Sequence, residues 1–500
     1  MKAQDNMLII TTQNNTGLTM AQQREQFGSR IGFILAAASS AIGIGNLVAF
    51  PVKATQSGGA VFLLIYTAFV IFVCLPIMIA EMSLGRTSNR NPLGAYKAVS
   101  NNSFLWKIGG FLAVLTPFMI AVFYQVITVW LLAYFVGAVT GNLAAMTEAN
   151  YFTSFVNSPS VFIYLVALTI IVGTILSLGV QNGIERLSRV IMPVLVLILL
   201  TLTAYILTLP NAMIGLKYYL VPDFSKITAS VVNNALNHAF FSLSLGMGIL
   251  ITYGSYLNRQ QNVASNAKMV ALFDTSIAFL AGLLILPAIF VFNPTTNPEE
   301  LSTSSVSLVF TYLPKIFLYL QTSLGYVGAS IFAAVFFLAV FFAALTSQVS
   351  ILQVPISTLQ DELGYSIKKS VLMCGAFAAA LVLACTVSFG IVDFYTNFMS
   401  YADQNKSFFD VIADVFYDTI LPLNGLIICL FVILRWKKMN MNNELRNGNE
   451  NYNNTLTSKY INLSLTTFIP VILLFVFINT VCQRFFAYDL FQKLIELTLF

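Results

Sequence analysis

The sequence predicts an all-α membrane protein of about 11 transmembrane helices, and three observations predict it. Of its 500 residues 58% are hydrophobic and only 9% are charged. Soluble domains carry roughly 25% charged residues, so this chain lacks the polar side chains to cover a water-facing surface. Apolar runs of about 20 residues recur along it, the length that a hydrocarbon layer of about 30 Å demands of a helix. The runs are continuous, whereas a transmembrane barrel needs short alternating segments.

Taken in order, residues 1–28 are polar and lack the apolar core of a cleaved signal, so they read as a cytoplasmic segment that leaves the first helix in place. Eleven hydrophobic segments follow, near 29–55, 60–85, 108–139, 160–179, 186–210, 232–256, 266–293, 325–358, 370–390, 408–434 and 463–484. The first ten make one core, 29–434. The stretch 302–320 is short, polar at its start and interrupted by Pro314, and reads as a re-entrant or interfacial hairpin. Residues 435–462 read as a polar cytoplasmic loop whose Asn-rich centre, 440–458, is flexible and has no core of its own. The eleventh helix and a C-terminal tail occupy 463–500.

Charge sets the orientation. With the N-terminus inside, the cytoplasmic side holds 18 of the 25 Lys and Arg, and the outer loops hold Lys53, Lys217, Lys226, Lys315 and Lys406. Arg484 and Lys493 lie in the tail. That bias predicts a multi-pass plasma-membrane protein, of the bacterial inner membrane, with a cytoplasmic N-terminus. The net charge of +5 is spread over short loops and forms no nucleic-acid patch. Cys74, Cys374, Cys385, Cys429 and Cys482 show no CxxC spacing and read as small apolar residues.

Two segments carry matching interruptions. The first holds Ser39-Ser40-Ala41-Ile42-Gly43-Ile44-Gly45-Asn46, and the sixth holds Ser242-Leu243-Ser244-Leu245-Gly246-Met247-Gly248. A lone Gly-x-Gly in a membrane helix is usually packing. The pairing, five helices apart, fits a five-plus-five inverted repeat with a binding site where two broken helices meet.

At these residues the chain resembles the neurotransmitter:sodium symporter family, in its bacterial LeuT-like branch. The resemblance runs from Arg24-Glu25-Gln26-Phe27-Gly28-Ser29-Arg30 through Gly43-Ile44-Gly45-Asn46, Phe50-Pro51 and Ser57-Gly58-Gly59 to Pro76, Glu81 and Gly85-Arg86. It continues in Phe240-Phe241-Ser242-Leu243-Ser244-Leu245-Gly246, Ala343-Ala344-Leu345-Thr346-Ser347 and Asp361-Glu362-Leu363. It implies a LeuT-type fold with broken first and sixth helices, and two Na⁺ sites. One would use the carbonyls of Ser39, Ile42 and Ala343 with the hydroxyls of Thr346 and Ser347. The i, i+3, i+4 spacing of the last three lets one helix face present them together. The other would use the Ala41 carbonyl, Asn46, Ser242 and Asp274. Asp274 is the one carboxylate deep in the seventh segment, where an ionisable group is costly and functional by default. Animal relatives place Asn there and use chloride, so no chloride requirement is expected.

The resemblance also implies that a substrate carboxylate meets the N–H groups of Gly43, Ile44 and Gly45, at the positive end of a half-helix, with Tyr124 closing over it. The amine would meet carbonyls near Ala41, Phe241 and Ser244. Ile120, Phe241, Ser244, Met247, Ser347 and Ile351 would shape the side-chain pocket, with Ser242 beside it. Glycine at 43, where monoamine carriers have aspartate, points to amino acids; Met247 and Ile351 suggest an apolar or aromatic side chain. Arg24 and Asp361 match the cytoplasmic gate, with Phe27 in place of Trp and Tyr256 beneath the site. Gly183 and Pro193 match an unwinding motif of the fifth helix.

The outer gate departs from the family. Ala49 stands where Arg should precede Phe50-Pro51, His238 replaces a glutamine, and the partner carboxylate is Asp410 or Asp414, since Ala413 occupies the aligned position. Closure there must rest on aromatic packing or on a different pair, and His238 is either proton-sensitive or an ordinary hydrogen-bonded side chain. The expected function is sodium-coupled symport of an amino acid by alternating access. A proton-coupled or uncoupled permease of the same fold and a non-transporting amino-acid sensor are the alternatives. No metal cluster, nucleophile triad or cofactor motif points to an enzyme.

Overall fold

The computed structural model describes residues 25–295, 308–488 and 490. Among them nine helices are long and apolar enough to cross a membrane: Ala60–Ser88, Phe104–Val139, Ser160–Ser177, Val180–Leu207, Val263–Phe292, Gln321–Leu363, Ile367–Phe389, Phe408–Trp436 and Phe468–Phe486. A tenth span is a pair, Arg30–Ala41 with Gly45–Gln56, bent by 53°. Ala229–Ser242 and Ile249–Gly254 supply the remaining one, divided by residues 243–248. In chain order the two divided spans are the first and the sixth, as the paired Gly-x-Gly signals predict.

Local chemistry starts these helices where they start. Ser29 accepts from the Gly32 N–H at 2.9 Å, Thr228 from Val231 at 3.2 Å and Asn262 from Ser265 at 3.0 Å, each supplying an acceptor to the unpaired N–H groups of a helix start. The first span breaks where Ile42 turns extended (φ −75, ψ 97). The sixth breaks through three positive-φ residues, Ser244, Gly246 and Gly248. Gly246 combines φ +74 with a Cβ position 2.5 Å from the Leu421 carbonyl, so only glycine fits. Its N–H donates to Glu81 Oε1 of the second span at 2.9 Å, and its carbonyl accepts from Asn424 Nδ2 of the tenth at 2.8 Å.

The two longest helices, the third and the eighth, pack along each other, and the inner half of the first span lies against the fifth, seventh and eighth. The fourth, fifth, ninth and eleventh spans are peripheral. Ile163, Ile170, Leu197, Leu372, Phe377 and Val471 point outward there, each more than 60% exposed. An apolar face of that kind requires lipid as its solvent.

Several expectations need correction. The stretch 308–319 is helical, and Pro314 opens Leu313–Tyr319 rather than interrupting it. It is folded onto the bundle: Phe310 packs 4.9 Å from the Tyr134 ring, whose hydroxyl donates to the Phe310 carbonyl at 2.8 Å. Residues 302–307 of that segment lie outside the described residues. The Asn-rich segment is ordered too. Helices Lys438–Arg446 and Leu456–Thr466 bury Met441, Leu445 and Tyr452. The buried Arg86 guanidinium anchors them through Glu444 Oε1 (2.5 Å), the Glu444 carbonyl (2.6 Å) and the Gln261 carbonyl. The eleventh span therefore begins at Phe468. In the fifth, the irregularity is a wide turn, Val180–Glu185, that contains Gly183; the helix then runs through Pro193 unbroken. A short hairpin, Met399–Tyr401 with Gln404–Lys406, precedes the tenth span.

A closed cavity flanked by two oxygen clusters

The two breaks face each other across a contracted cavity of ≈ 10 Å³ lined by Ser40, Ala41, Gly43, Gly45, Tyr124, Phe241, Ser244, Met247, Ser347 and Ile351. That is about one water-sized sphere, far below the roughly 300–1,000 Å³ of sites for drug-sized ligands, so the lining must move apart before a small molecule can enter. Ile120 is buried one helical turn from Tyr124 but does not line the cavity, and Ser40, which the sequence reading missed, does. A larger cleft between the third, fourth, eighth and ninth spans is lined by apolar side chains such as Leu165, Val172, Leu352 and Val382. Its polar lining residues, Gln125, Thr169 and Gln348, bond one another, Gln125 Nε2 to Thr169 Oγ1 at 3.2 Å and Gln348 Nε2 to Gln125 Oε1 at 2.8 Å.

Main-chain donors freed by the first break reach the cavity. The Ile44 N–H donates to Tyr124 Oη at 3.2 Å and the Gly43 N–H to Asn46 Oδ1 at 3.4 Å. A Cβ on Gly43 would sit 2.6 Å from both Ser347 Oγ and Tyr124 Oη. That contact is tighter than packing allows, so the hydroxyls can approach the backbone only over glycine.

One oxygen cluster lies between the first and eighth spans. Thr346 Oγ1 is 3.0 Å from the carbonyls of Ser39 and Ala343 and 3.2 Å from that of Phe342. Ser347 Oγ is 3.0 Å from the Ser40 carbonyl and 3.4 Å from those of Ser39 and Ile42. Two hydroxyls offer two protons to five carbonyls, an excess of acceptors in a buried place. Four of these contacts are hydrogen bonds of 3.0–3.2 Å, and the two at 3.4 Å have the edge length of an octahedral oxygen shell of about 2.4 Å radius. Hydroxyl and carbonyl oxygens are the donor set that a hard cation takes.

The other cluster centres on Asp274, which is fully buried. Its carboxylate accepts from Asn46 Nδ2 at 2.7 Å, from Ser242 Oγ at 2.9 and 3.1 Å, and from Tyr66 Oη at 3.1 Å. Among the described residues no basic side chain pairs with it. Tyr66 was not anticipated, because a tyrosine in an apolar run reads as packing. Ala41 lines the cavity.

At the end nearer the N-terminus, the Phe27 N–H donates to the Tyr256 carbonyl at 3.3 Å, and the Phe27 ring packs edge-on to Tyr253, Tyr256 and Phe33. Asp361 Oδ2 accepts from the Asn91 N–H at 2.8 Å and from Asn91 Nδ2 at 3.1 Å. Arg24 lies outside the described residues. At the opposite end, Phe241 and Tyr417 meet at 4.4 Å and Tyr417 and Phe123 at 6.2 Å, an aromatic lid over the cavity. His238 sits among Phe50, Phe62 and Tyr66, and its Nε2 has no hydrogen-bond partner. Of the two gate carboxylates considered, Asp410 is occupied in capping the tenth span through Ser407.

A model of the sodium:neurotransmitter symporter family matches residues 24–157 and 148–492. The uncharacterized sodium-dependent transporter YhdH of Bacillus subtilis (strain 168) is 34% identical over 470 residues, which is 92% of this chain and 99% of that protein. An uncharacterized sodium-dependent transporter of Haemophilus influenzae is 33% identical over 361 residues, 69% of this chain and 76% of its own length. The crystal structure of MhsT in complex with L-phenylalanine superposes with a TM-score of 0.79 at 33% identity, covering 91% of this chain and 99% of MhsT.

Proposed function

Since the chain belongs to the sodium:neurotransmitter symporter family, a family of membrane transporters rather than enzymes, we propose that it carries an amino acid across the plasma membrane together with Na⁺. The observation that carries this reading is the closed cavity at the two breaks, flanked by the Thr346–Ser347 oxygen cluster and by an unpaired buried carboxylate. The substrate would be a zwitterion, its carboxylate taking the N–H groups of Gly43, Ile44 and Gly45 under Tyr124 and its amine the carbonyls near Ala41, Phe241 and Ser244. Phe241, Met247 and Ile351 favour an apolar or aromatic side chain; the relative MhsT was solved with L-phenylalanine.

Coupling follows from shared atoms. Asn46 touches both Asp274 and the Gly43 N–H. A Na⁺ at Asp274 draws the Asn46 oxygen to itself and releases the Gly43 donor for the substrate. The second Na⁺, at Ser39, Ile42, Ala343, Thr346 and Ser347, ties the first span to the eighth. Asp274 supplies the negative charge at the site, so transport needs no chloride. Alternating access would flex the chain at the two breaks, with the N-terminus, Arg24, Phe27, Tyr256 and Asp361 on the cytoplasmic side and the aromatic lid outside.

Radiolabelled uptake of each common amino acid into proteoliposomes, with and without a sodium gradient and with chloride replaced by gluconate, tests the reading. Accumulation above equilibrium for an apolar or aromatic amino acid, sodium-dependent and chloride-independent, is expected. Uptake indifferent to sodium, or binding with no accumulation, would overturn it.

A further inference from the structure

The outward end of the bundle carries charges at places the family pattern does not foresee. Ala49 offers no guanidinium before Phe50-Pro51, and the first basic side chain on that half-helix is Lys53, one turn further out. Facing it, the tenth span sets Asp410, Asp414 and Asp418 four residues apart, with a wide turn over Ala413–Ile420. Asp410 is engaged by Ser407 through its N–H (3.1 Å) and Oγ (2.7 Å). Asp414 accepts from Tyr401 Oη at 2.7 Å and lies 3.9 Å from Lys406 Nζ.

The cation that joins this row comes from the eleventh span. Arg484, in its last turn, places Nη2 2.9 Å from Asp418 and Nη1 3.7 Å from Asp414. A planar guanidinium meets the two carboxylates with two separate nitrogens held in a fixed fork, where an ammonium offers a single one. Lys53 is within electrostatic reach of both Asp418 and Arg484. Asp418 directly follows Tyr417, the residue that closes on Phe241 over the cavity. The carboxylates are sheltered, at 8% and 19% exposure, while Arg484 is 46% exposed. The lock is therefore reachable by water on one side only.

We propose that the outer gate of this transporter is an ion-pair lock between the tenth and eleventh spans, in which Arg484 holds Asp418 and Asp414 above the aromatic lid. Lys53, on the outer half of the first span, adds a longer-range attraction to Asp418. With Arg484 a peripheral helix takes over the work of the missing residue at position 49. This rests on the transport reading above and deepens it.

The test uses full-length protein with Cys482, the one cysteine that is not buried, changed to Ser, and with Ala49→Cys as a reporter beneath the lock. A membrane-impermeant thiol reagent reads closure in sodium-free buffer, where no substrate is needed. Arg484→Gln and Asp418→Asn are each expected to raise the labelling rate about five-fold, the scale of one partly exposed ion pair. The charge swap Arg484→Asp with Asp418→Arg returns it to within about two-fold of the parent. Lys53→Met raises it less. Parental labelling in Arg484→Gln, or a swap that labels as fast as the single variants while melting at the parental temperature, overturns the proposal. Absence of amino-acid uptake would instead overturn the transport reading, and the labelling result would still decide the lock.

Discussion

Replacing Asp274 by Asn removes one charge from a fully buried position while keeping its size and its acceptor toward Asn46, Ser242 and Tyr66. Two unit charges 4 Å apart at an effective dielectric of about 20 attract by about 4 kcal/mol. The amide oxygen that remains would recover on the order of half of this, since it still coordinates, leaving a loss of about 2 kcal/mol, or about 30-fold in sodium affinity. The stability effect has the opposite sign without sodium, because the native protein then carries a buried carboxylate with no counter-charge. Sodium dependence of uptake gives the half-saturating concentration, and melting temperature with and without Na⁺ gives the linkage. The expected pattern is a native protein that gains several degrees on adding sodium, and an Asp274→Asn variant that melts higher in sodium-free buffer, gains little, and needs about 30-fold more sodium for uptake. An unchanged sodium curve in Asp274→Asn would refute the assignment of a cation to this carboxylate.

Other perturbations read other parts of the site. Gly43→Ala places a methyl 2.6 Å from two hydroxyls and should cut uptake at least about ten-fold, with a stability cost of about 1–3 kcal/mol as Tyr124 and Ser347 shift to admit it, read as a lower melting temperature. Tyr124→Phe deletes the donor expected at the substrate carboxylate; a charge-assisted bond of about 1.5–3 kcal/mol predicts a KM raised about ten- to 100-fold, with half-saturating sodium little changed at saturating substrate. Thr346→Val keeps the shape and removes one oxygen from the cluster between the first and eighth spans, so the sodium half-saturation should rise by about ten-fold while binding of substrate at high sodium persists. Glu444→Ala strips the buried Arg86 of its carboxylate and should destabilise the protein by about 3–5 kcal/mol, seen as a large drop in melting temperature; Arg86→Met with Glu444→Leu should recover much of it.

The spans were legible because apolar length is all that a bilayer asks, and the breaks were legible because both interrupted spans carry Gly-x-Gly beside small hydroxyl residues. Asp274 stood out as the one carboxylate deep in the seventh apolar segment. What stayed hidden is instructive. Tyr66 lies in the run AVFLLIYTAF, where its hydroxyl has no sequence signature and only the turn of the second helix aims it at Asp274. Ile120 shares a helix face with Tyr124, but one turn, about 5.4 Å along the axis, carries it past the cavity into the core. Asp418 drew no reading and Arg484 was counted only with the tail, because sequence cannot show that two helices lay them side by side. The segment around Met441 was judged by its asparagines, yet three apolar side chains and one partner for Arg86 suffice to dock it. Arg24 lies beyond the described residues.

Gly246 hands its amide hydrogen to one neighbouring helix and its carbonyl to another. The second and tenth spans are thereby clasped through a single residue of the sixth. If they part, one of the two grips must open at a depth where water is scarce, and an orphaned polar group there costs about 1–3 kcal/mol. The sixth helix must then side with one companion. Which grip survives decides whether its middle rides with Glu81 or with Asn424, so one small residue divides the molecule into the part that swings and the part that stays.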